Sequence, residues 1–296
     1  MIRIATRSST LALYQANLVG KGLGVPYELV QVHSGGDIDL TSPLSAIGGS
    51  GIFVKEVQAA VIRGEADIAV HSAKDIPAQL PEETIVDTFI ERGDPRDALL
   101  GTDLAGLKEG AVVATGSTRR KALIRLLRPD LKVVELRGNI ATRLERLKEV
   151  DAILMANAAL ERLGLNDVRR QVFEVEEFMP QVGQGAIAVE RRLNDERVAS
   201  IVSNINHRET QLAVEAERGF LETMGSGCTL PVGAIGNVTS DGQIFLSALI
   251  AALDGSKVIK REISGNDPRR LGSHLGELIL IEGGDQLLRE ANVVSK

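Results

Sequence analysis

The stretch HSAKDIP sets an ammonium beside a carboxylate, Lys74 and Asp75, at the end of the apolar run ADIAVHS. In open α/β sheets ligands bind beyond the carboxyl ends of strands. A carboxylate at such a point can stabilise a developing cation or carry a proton. A turn aspartate paired with its lysine neighbour fits this stretch equally well. A second candidate is Cys228, the only cysteine of 296 residues, in the glycine-flanked loop GSGCTLPVG. It has no partner for a disulfide, which points to a reducing, cytoplasmic setting and to a thiol that acts alone. The third group is cationic. Arg119 and Arg120 follow a Gly-Ser-Thr turn, Arg137 leaves a strand in RGN, and Arg143 lies in the next helix start. Guanidinium forks bind carboxylates bidentately and stay charged. Between Thr115 and Val150 ten Lys/Arg stand against four Asp/Glu, in a chain of net charge −6. That segregation reads as a local anion site or as a solvated basic helix face.

Other chemistries find little support. The histidines, His33, His71, His207 and His274, are far apart and show no ligand spacing, so no metal centre is expected. The run GQGAIA (183–188) has the spacing of a dinucleotide fingerprint, but it precedes a strand-like segment instead of opening a helix. The negative net charge and 3% aromatic content argue against nucleic acid as a partner. No apolar run approaches the roughly 18 residues of a membrane span. The start, MIRIATRSST, alternates like a strand and lacks a secretory pattern.

The elements that must hold these groups follow an α/β rhythm. IRIATR reads as a strand, STLALYQANLVGKGL as a helix and YELVQVHS as a second strand. Residues 35–51 are glycine-rich, and a loop of that length reads as a lid or binding element. Ser50 is then expected to cap the helix GIFVKEVQAAVIRG, with Phe53, Val57, Ala60 and Val61 on its buried face. After DPRD the rhythm restarts with AVVAT, STRRKALIRLL, KVVELRG, ATRLERLKE, DAILMA and NAALERLGL, which implies parallel-sheet architecture. VGQGAIAVE reads as a strand returning to the first unit. From about His207 the pattern changes to a helix, the cysteine loop, and strands joined by an Asp-Gly turn, which suggests a small α+β domain. One echo links the two units: IATRSST and VATGSTR each lead an apolar strand through a hydroxyl-rich turn into a helix. Such turns expose backbone N–H groups and a positive dipole end, which suits anions; ordinary capping explains each turn taken singly.

The strings IATRSSTLALYQA, GGSGIFVKE, ADIAVHSAKDIP, ERGDPRDALL, STRRKALIRLLRPDLKVVELRGNIATRLERL, VGQGAIAVE and GSGCTLPVG fall in the order and spacing of the porphobilinogen deaminase (hydroxymethylbilane synthase) family. The chain resembles that family over nearly its whole length. The resemblance implies two lobes like type II periplasmic binding proteins, joined by hinge crossings, plus a small α+β C-terminal domain. The expected division is 1–91 with 185–204, 95–180, and 207–296. It implies a transferase that condenses four porphobilinogens head to tail, with loss of four ammonias, to give hydroxymethylbilane. The primer would be a dipyrromethane cofactor held by a thioether to Cys228.

By the same resemblance Asp75 is the catalytic carboxylate, binding pyrrole N–H groups and stabilising the azafulvenium left when ammonia departs. Lys74, Thr115, Ser117, Arg119, Arg120, Arg143 and Gly185 fall on cofactor-contacting positions. Arg7, Ser9, Gln15, Phe53, Arg137 and Arg162 fall on substrate-contacting ones. Three departures from the family pattern stand out: Ser50 where lysine is expected, Thr118 where leucine is usual, and Gly116 where serine is usual. A small-molecule substrate, no nucleic acid or membrane partner, and a cytoplasmic monomer complete the expectation. A two-lobed binding module would need no Cys228, and a cysteine hydrolase would need a histidine near it.

Overall fold

The computed structural model describes residues 1–32, 54–225 and 230–294. His33, Ser50, Phe53 and Cys228 therefore lie outside the described residues, as does the glycine-rich loop.

The first sheet is built from β1 (Ile2–Arg7), β2 (Tyr27–Val32), β3 (Ile68–Ser72), β4 (Thr84–Phe89) and β10 (Ile187–Arg192), in the order β2-β1-β3-β10-β4. The first three strands run parallel and β10 runs antiparallel to both neighbours. The second sheet uses β5 (Asp97–Leu100), β6 (Val112–Ala114), β7 (Lys132–Val134), β8 (Ala152–Ala156) and β9 (Arg170–Val172), in the order β7-β6-β8-β5-β9. Again three strands are parallel, and β5 is antiparallel to its two neighbours. The two sheets thus repeat one plan. In each, the second strand flanks the first, the third lies on its other side, and a reversed strand separates the third from the edge.

The echoed turns occupy the same place in both plans. β1 leads into α1 (Thr10–Gly22), where the Ser9 hydroxyl accepts from Ala12 N at 3.3 Å. After β6 the chain enters a helix at Thr118, with Ser117 as its cap. Numbered in chain order, α2 is Lys55–Ile62 and that helix, Thr118–Leu127, is α3. A side-chain oxygen at the cap satisfies a backbone N–H that the first helical turn leaves without a partner. Val57, Ala60 and Val61 of α2 are buried, as the helical spacing predicts.

The third unit is an antiparallel sheet of β11 (Val232–Val238), β12 (Ile244–Ala251) and β13 (Val258–Gly265). It is covered by a long helix, Arg208–Thr223, and by Pro268–Ile279. Gly242, in the Asp-Gly turn, has φ of 83°, a conformation that glycine adopts without steric cost. The unit is not independent of the rest. Leu249 and Ala251 of β12 belong to the apolar core of the second sheet, while Val214 of Arg208–Thr223 packs with Ala73, Ile76 and Phe89 of the first. Burial of a side chain the size of Leu249 or Val214 contributes about 1.5–3 kcal/mol, so the third unit is wedged against both sheets.

Two segments cross between the sheets, 90–96 outbound and 173–186 on the return. They touch at Gly93 and Gly185, whose backbones bond N to O at 3.1 Å. Gly185 has φ of 84°, and a Cβ there would sit 2.5 Å from Gly93 O. Only glycine permits this approach.

Candidate active site

Asp75 ends a single turn of 3₁₀ helix, Ala73–Asp75, directly after β3. This is the carboxyl end of a central parallel strand, where an α/β sheet leaves its crevice. Its side chain is half-buried, and among the described residues no donor closes on the carboxylate. Its electrostatic partners are Lys74 and, from the second sheet, Arg143. Arg143 lies in α4 (Ile140–Glu145), a short helix capped by Asn139. Its Nε donates to Gly138 O at 2.8 Å, which leaves both terminal nitrogens without a partner among the described residues. Burial and the neighbouring Arg120 and Arg137 lower its pKa, and Asp75 opposes them. Arg137 itself is half-buried and makes no ion pair among the described residues. Burial, with Arg120 second, pushes Lys74 down to about 8 against the pull of Asp75 and Asp97.

Behind this wall lies a buried node that the sequence did not announce. Asp97, the first residue of β5, is fully buried and accepts from Arg119 Nη2 at 2.7 Å, Arg120 Nε at 2.8 Å and Gln184 Nε2 at 3.0 Å. Burial alone would raise its pKa, but the two guanidiniums outweigh that and hold it below the usual carboxylate range. Arg119 spends Nη1 on Met179 O at 2.5 Å and lies over the Phe178 ring. Arg120 also reaches Leu154 O and Gln184 Oε1. That same Gln184 oxygen accepts from Lys74 Nζ at 3.4 Å, so the node is continuous with the wall. Both arginines, expected from their spacing as open forks for ligand carboxylates, are thus largely committed within the protein. One atom is not: Arg119 Nε is buried and has no hydrogen-bond partner among the described residues.

The remaining expected residues divide between wall and frame. Ser117 caps α3 by accepting from Arg120 N at 3.4 Å, which sets the start of the helix that carries both arginines. Thr115 is fully buried and accepts from Ser117 N at 3.3 Å, bracing the same turn. Ser9 holds the equivalent position before α1, and Arg7 ends β1 half-buried. Gln15 is buried and donates to Ser72 Oγ at 2.9 Å, which ties α1 to the strand that delivers Asp75. Arg162 belongs to α5 (Asn157–Arg162) and donates to Gly185 O at 2.5 Å, so it and Gly185 meet at the crossing segments. Phe53 and Cys228 are not among the described residues. Gly116 departs from the expected serine, and its surroundings are tight: a Cβ there would lie 2.7 Å from Leu136 O.

A crevice joins all three units. Its lining includes Lys74 from the first sheet, Ser117 and Arg119 from the second, and Leu221, Leu230 and Val232 from the third. Leu230 adjoins the cysteine loop in sequence. Ammonium, hydroxyl and an orphaned guanidinium N–H are donors only or donors by choice, a set suited to carboxylates and pyrrole-derived acids. The residues therefore fit a dipyrromethane bearing carboxylate side chains. Sequence reasoning missed Asp97, Gln184, Glu217 and Arg218, which hold this arrangement together. DPRD marks where the β–α rhythm restarts and VGQGAIAVE reads as a returning strand, and nothing in either string shows that Asp97 and Gln184 meet.

Family models and relatives match this chain over nearly its whole length. Residues 2–200 match the family described as porphobilinogen deaminase, dipyromethane cofactor binding domain, and residues 211–280 match porphobilinogen deaminase, C-terminal domain. A porphobilinogen deaminase of Geobacter sulfurreducens is 43% identical, over 98% of this chain and 94% of that protein. One from Nitratidesulfovibrio vulgaris is 42% identical, over 97% and 96%. Among solved structures, an amino acid ABC transporter substrate-binding protein from Streptococcus pneumoniae aligns with 73% of this chain and 93% of that one, at 17% identity and a TM-score of 0.40. Among the described residues no helix is long and apolar enough to cross a membrane. The chain belongs to the porphobilinogen deaminase family.

Proposed function

We propose that this member of the family makes hydroxymethylbilane from four porphobilinogens with Asp75 as its catalytic carboxylate and a donor wall of Lys74, Arg137, Arg143 and Arg119 Nε for substrate and cofactor carboxylates. The observation that carries this reading is the position of Asp75: a carboxylate with no hydrogen-bond donor among the described residues, at a strand end, facing cations from the opposite sheet. An ionised carboxylate held there accepts a pyrrole N–H of the substrate. It then stabilises the cation that remains when the C–N bond of the substrate's protonated aminomethyl group breaks and ammonia leaves. As the new C–C bond forms, the proton lost from the attacked pyrrole carbon passes to the same carboxylate or to water. Preorganised electrostatics of this kind needs no reorganisation at the moment of reaction.

The wall has a second task. Each substrate brings carboxylates of its own, and unpaired cations offer them partners without displacing existing ion pairs. Among the described residues Arg137 and the terminal nitrogens of Arg143 meet this condition. Arg119 and Arg120 act mainly through Asp97, which fixes the helix start that presents Ser117. Cys228 would hold the dipyrromethane, with Ser117, Lys74 and Arg119 Nε facing it. When bound, that group supplies the pyrrole end to which the first substrate is joined. A thiol that must stay reduced until it is alkylated supports a cytoplasmic setting. The gathering of cations in a cleft of an acidic chain supports small anions, not nucleic acid, as partners. A monomer is sufficient, because all named groups come from one chain. The division into 1–91 with 185–204, 95–180, and 207–296 rests on the two sheets of like plan and the third unit.

Intact-mass measurement tests the attachment. The purified chain should carry the added mass of two pyrrole units, and Cys228→Ser should lack it. An unmodified chain that still forms hydroxymethylbilane would overturn the assignment.

A further inference from the structure

The turn that follows Asp75 has an unusual hydrogen-bond supply. Residues 76–81 read IPAQLP, with prolines at 77 and 81 that cannot donate from the backbone. Ile76 is extended, as a residue before proline must be. The segment lies outside any strand or helix, so its carbonyls need partners from elsewhere. Thr84 serves Pro81 O, and one side chain serves the carbonyls of residues 76–78. Arg218, on the helix Arg208–Thr223 of the third unit, sends Nη2 to Pro77 O at 2.9 Å and to Ala78 O at 3.1 Å, and Nη1 towards Ile76 O at 3.5 Å. It is 3% exposed, and no carboxylate pairs with it among the described residues. Burying a charge costs much unless hydrogen bonds compensate, and among the described residues its hydrogen bonds all go to three successive carbonyls, beginning one residue after Asp75, with Glu222 and Glu190 adding attraction without a direct contact.

We infer that Arg218 is a positioning residue for the reaction: from the C-terminal unit it fixes the 76–78 turn and thereby the place of the Asp75 carboxylate. The preceding residue, Glu217, is bound to both crossing segments, accepting from Arg92 and from Gly183 N at 2.6 Å. One helix turn thus registers the catalytic loop against the hinge. Arg218 touches no expected ligand position, and it acts only through the loop. A misplacement of about 1 Å at a catalytic group can cost on the order of 10²-fold in rate, so such a brace has kinetic weight.

The inference rests on the Asp75 reading, and the experiment separates the two. Holoenzyme carrying Arg218→Met, with cofactor content verified by mass, should lose roughly 10–100-fold in kcat, with KM for porphobilinogen within about twofold. Arg218→Lys, which keeps charge and three donors, should recover most of that loss. Hydrogen exchange should quicken at the amides of 73–79 in Arg218→Met and stay unchanged in β1 and β10. Normal kcat in Arg218→Met beside an inactive Asp75→Asn would overturn the inference alone. A turnover-competent Asp75→Asn would overturn both. Global quickening of exchange with unchanged kcat per folded enzyme would reduce Arg218 to a stability role and also contradict the inference. If Arg218→Met does not fold, Arg218→Gln takes its place, and normal kcat with unchanged exchange at 73–79 in that variant decides against the inference.

Discussion

Arg92 and Glu217 form a buried ion pair at the junction of hinge and C-terminal unit, with Arg92 Nη1 donating to Glu217 Oε1 at 2.5 Å. Arg92 lies on the outbound crossing, and its Nε donates to Gln184 O on the return crossing at 2.9 Å. Glu217 is fully buried and also accepts from Gly183 N and from Gly236 N of β11. Breaking a buried pair from one side leaves an uncompensated charge, which costs about 3–5 kcal/mol. Glu217→Ala should lose stability of that order in urea unfolding at unchanged m-value. A loss below about 1 kcal/mol would show that the junction is solvated in solution.

Asp97 carries a related prediction. Its carboxyl is held below the ordinary value of 3.8 by Arg119 and Arg120 despite burial. A group whose folded pKa is depressed contributes stability above its unfolded pKa and loses it as pH falls through the folded one. Wild type should therefore lose stability as pH drops below about 4, and Asp97→Asn should lack this component. Asp97→Asn should also be less stable at neutral pH by about 3 kcal/mol or more, because two guanidiniums lose their counter-ion. Equal acid sensitivity in both proteins would contradict the node.

Lys74 makes the wall pH-dependent. With its pKa pushed down to about 8, the side chain is charged at pH 7 and becomes neutral as pH rises through 8. KM for porphobilinogen should climb across that range, as one cation leaves the carboxylate site. Lys74→Met should start from a higher KM at pH 7 and show no such step. The stability sign is the reverse: between 8 and the ordinary lysine value of 10.5 the unfolded chain binds more protons, so this group favours folding increasingly as pH rises. A step retained in Lys74→Met would assign the titration elsewhere.

Much of this site is legible in the chain itself. The strand end at Asp75, the hydroxyl caps Ser9 and Ser117, and the return strand 187–192 follow from local pattern and turn chemistry. So does the repeat of one plan in two sheets, since IATRSST and VATGSTR lead to equivalent turns. What escapes is set by partners distant in sequence. Nothing near Arg119 or Arg120 shows that Asp97, more than twenty residues earlier, will neutralise both. Nothing near Arg162 in sequence shows that the crossing will bring Gly185 O to its Nη2 at 2.5 Å. Gly116 reads as a departure without a cause until the Leu136 carbonyl is seen to close on its α-carbon. Charges in such a sequence are visible, but their counter-ions depend on the topology.

The most direct test of the account is turnover by Asp75→Asn, an isosteric change that removes the charge and keeps the fold. Porphobilinogen consumption and ammonia release should fall by at least about 10²-fold, while thermal stability stays close to wild type. Near-normal ammonia release from folded Asp75→Asn would contradict the role assigned to this carboxylate.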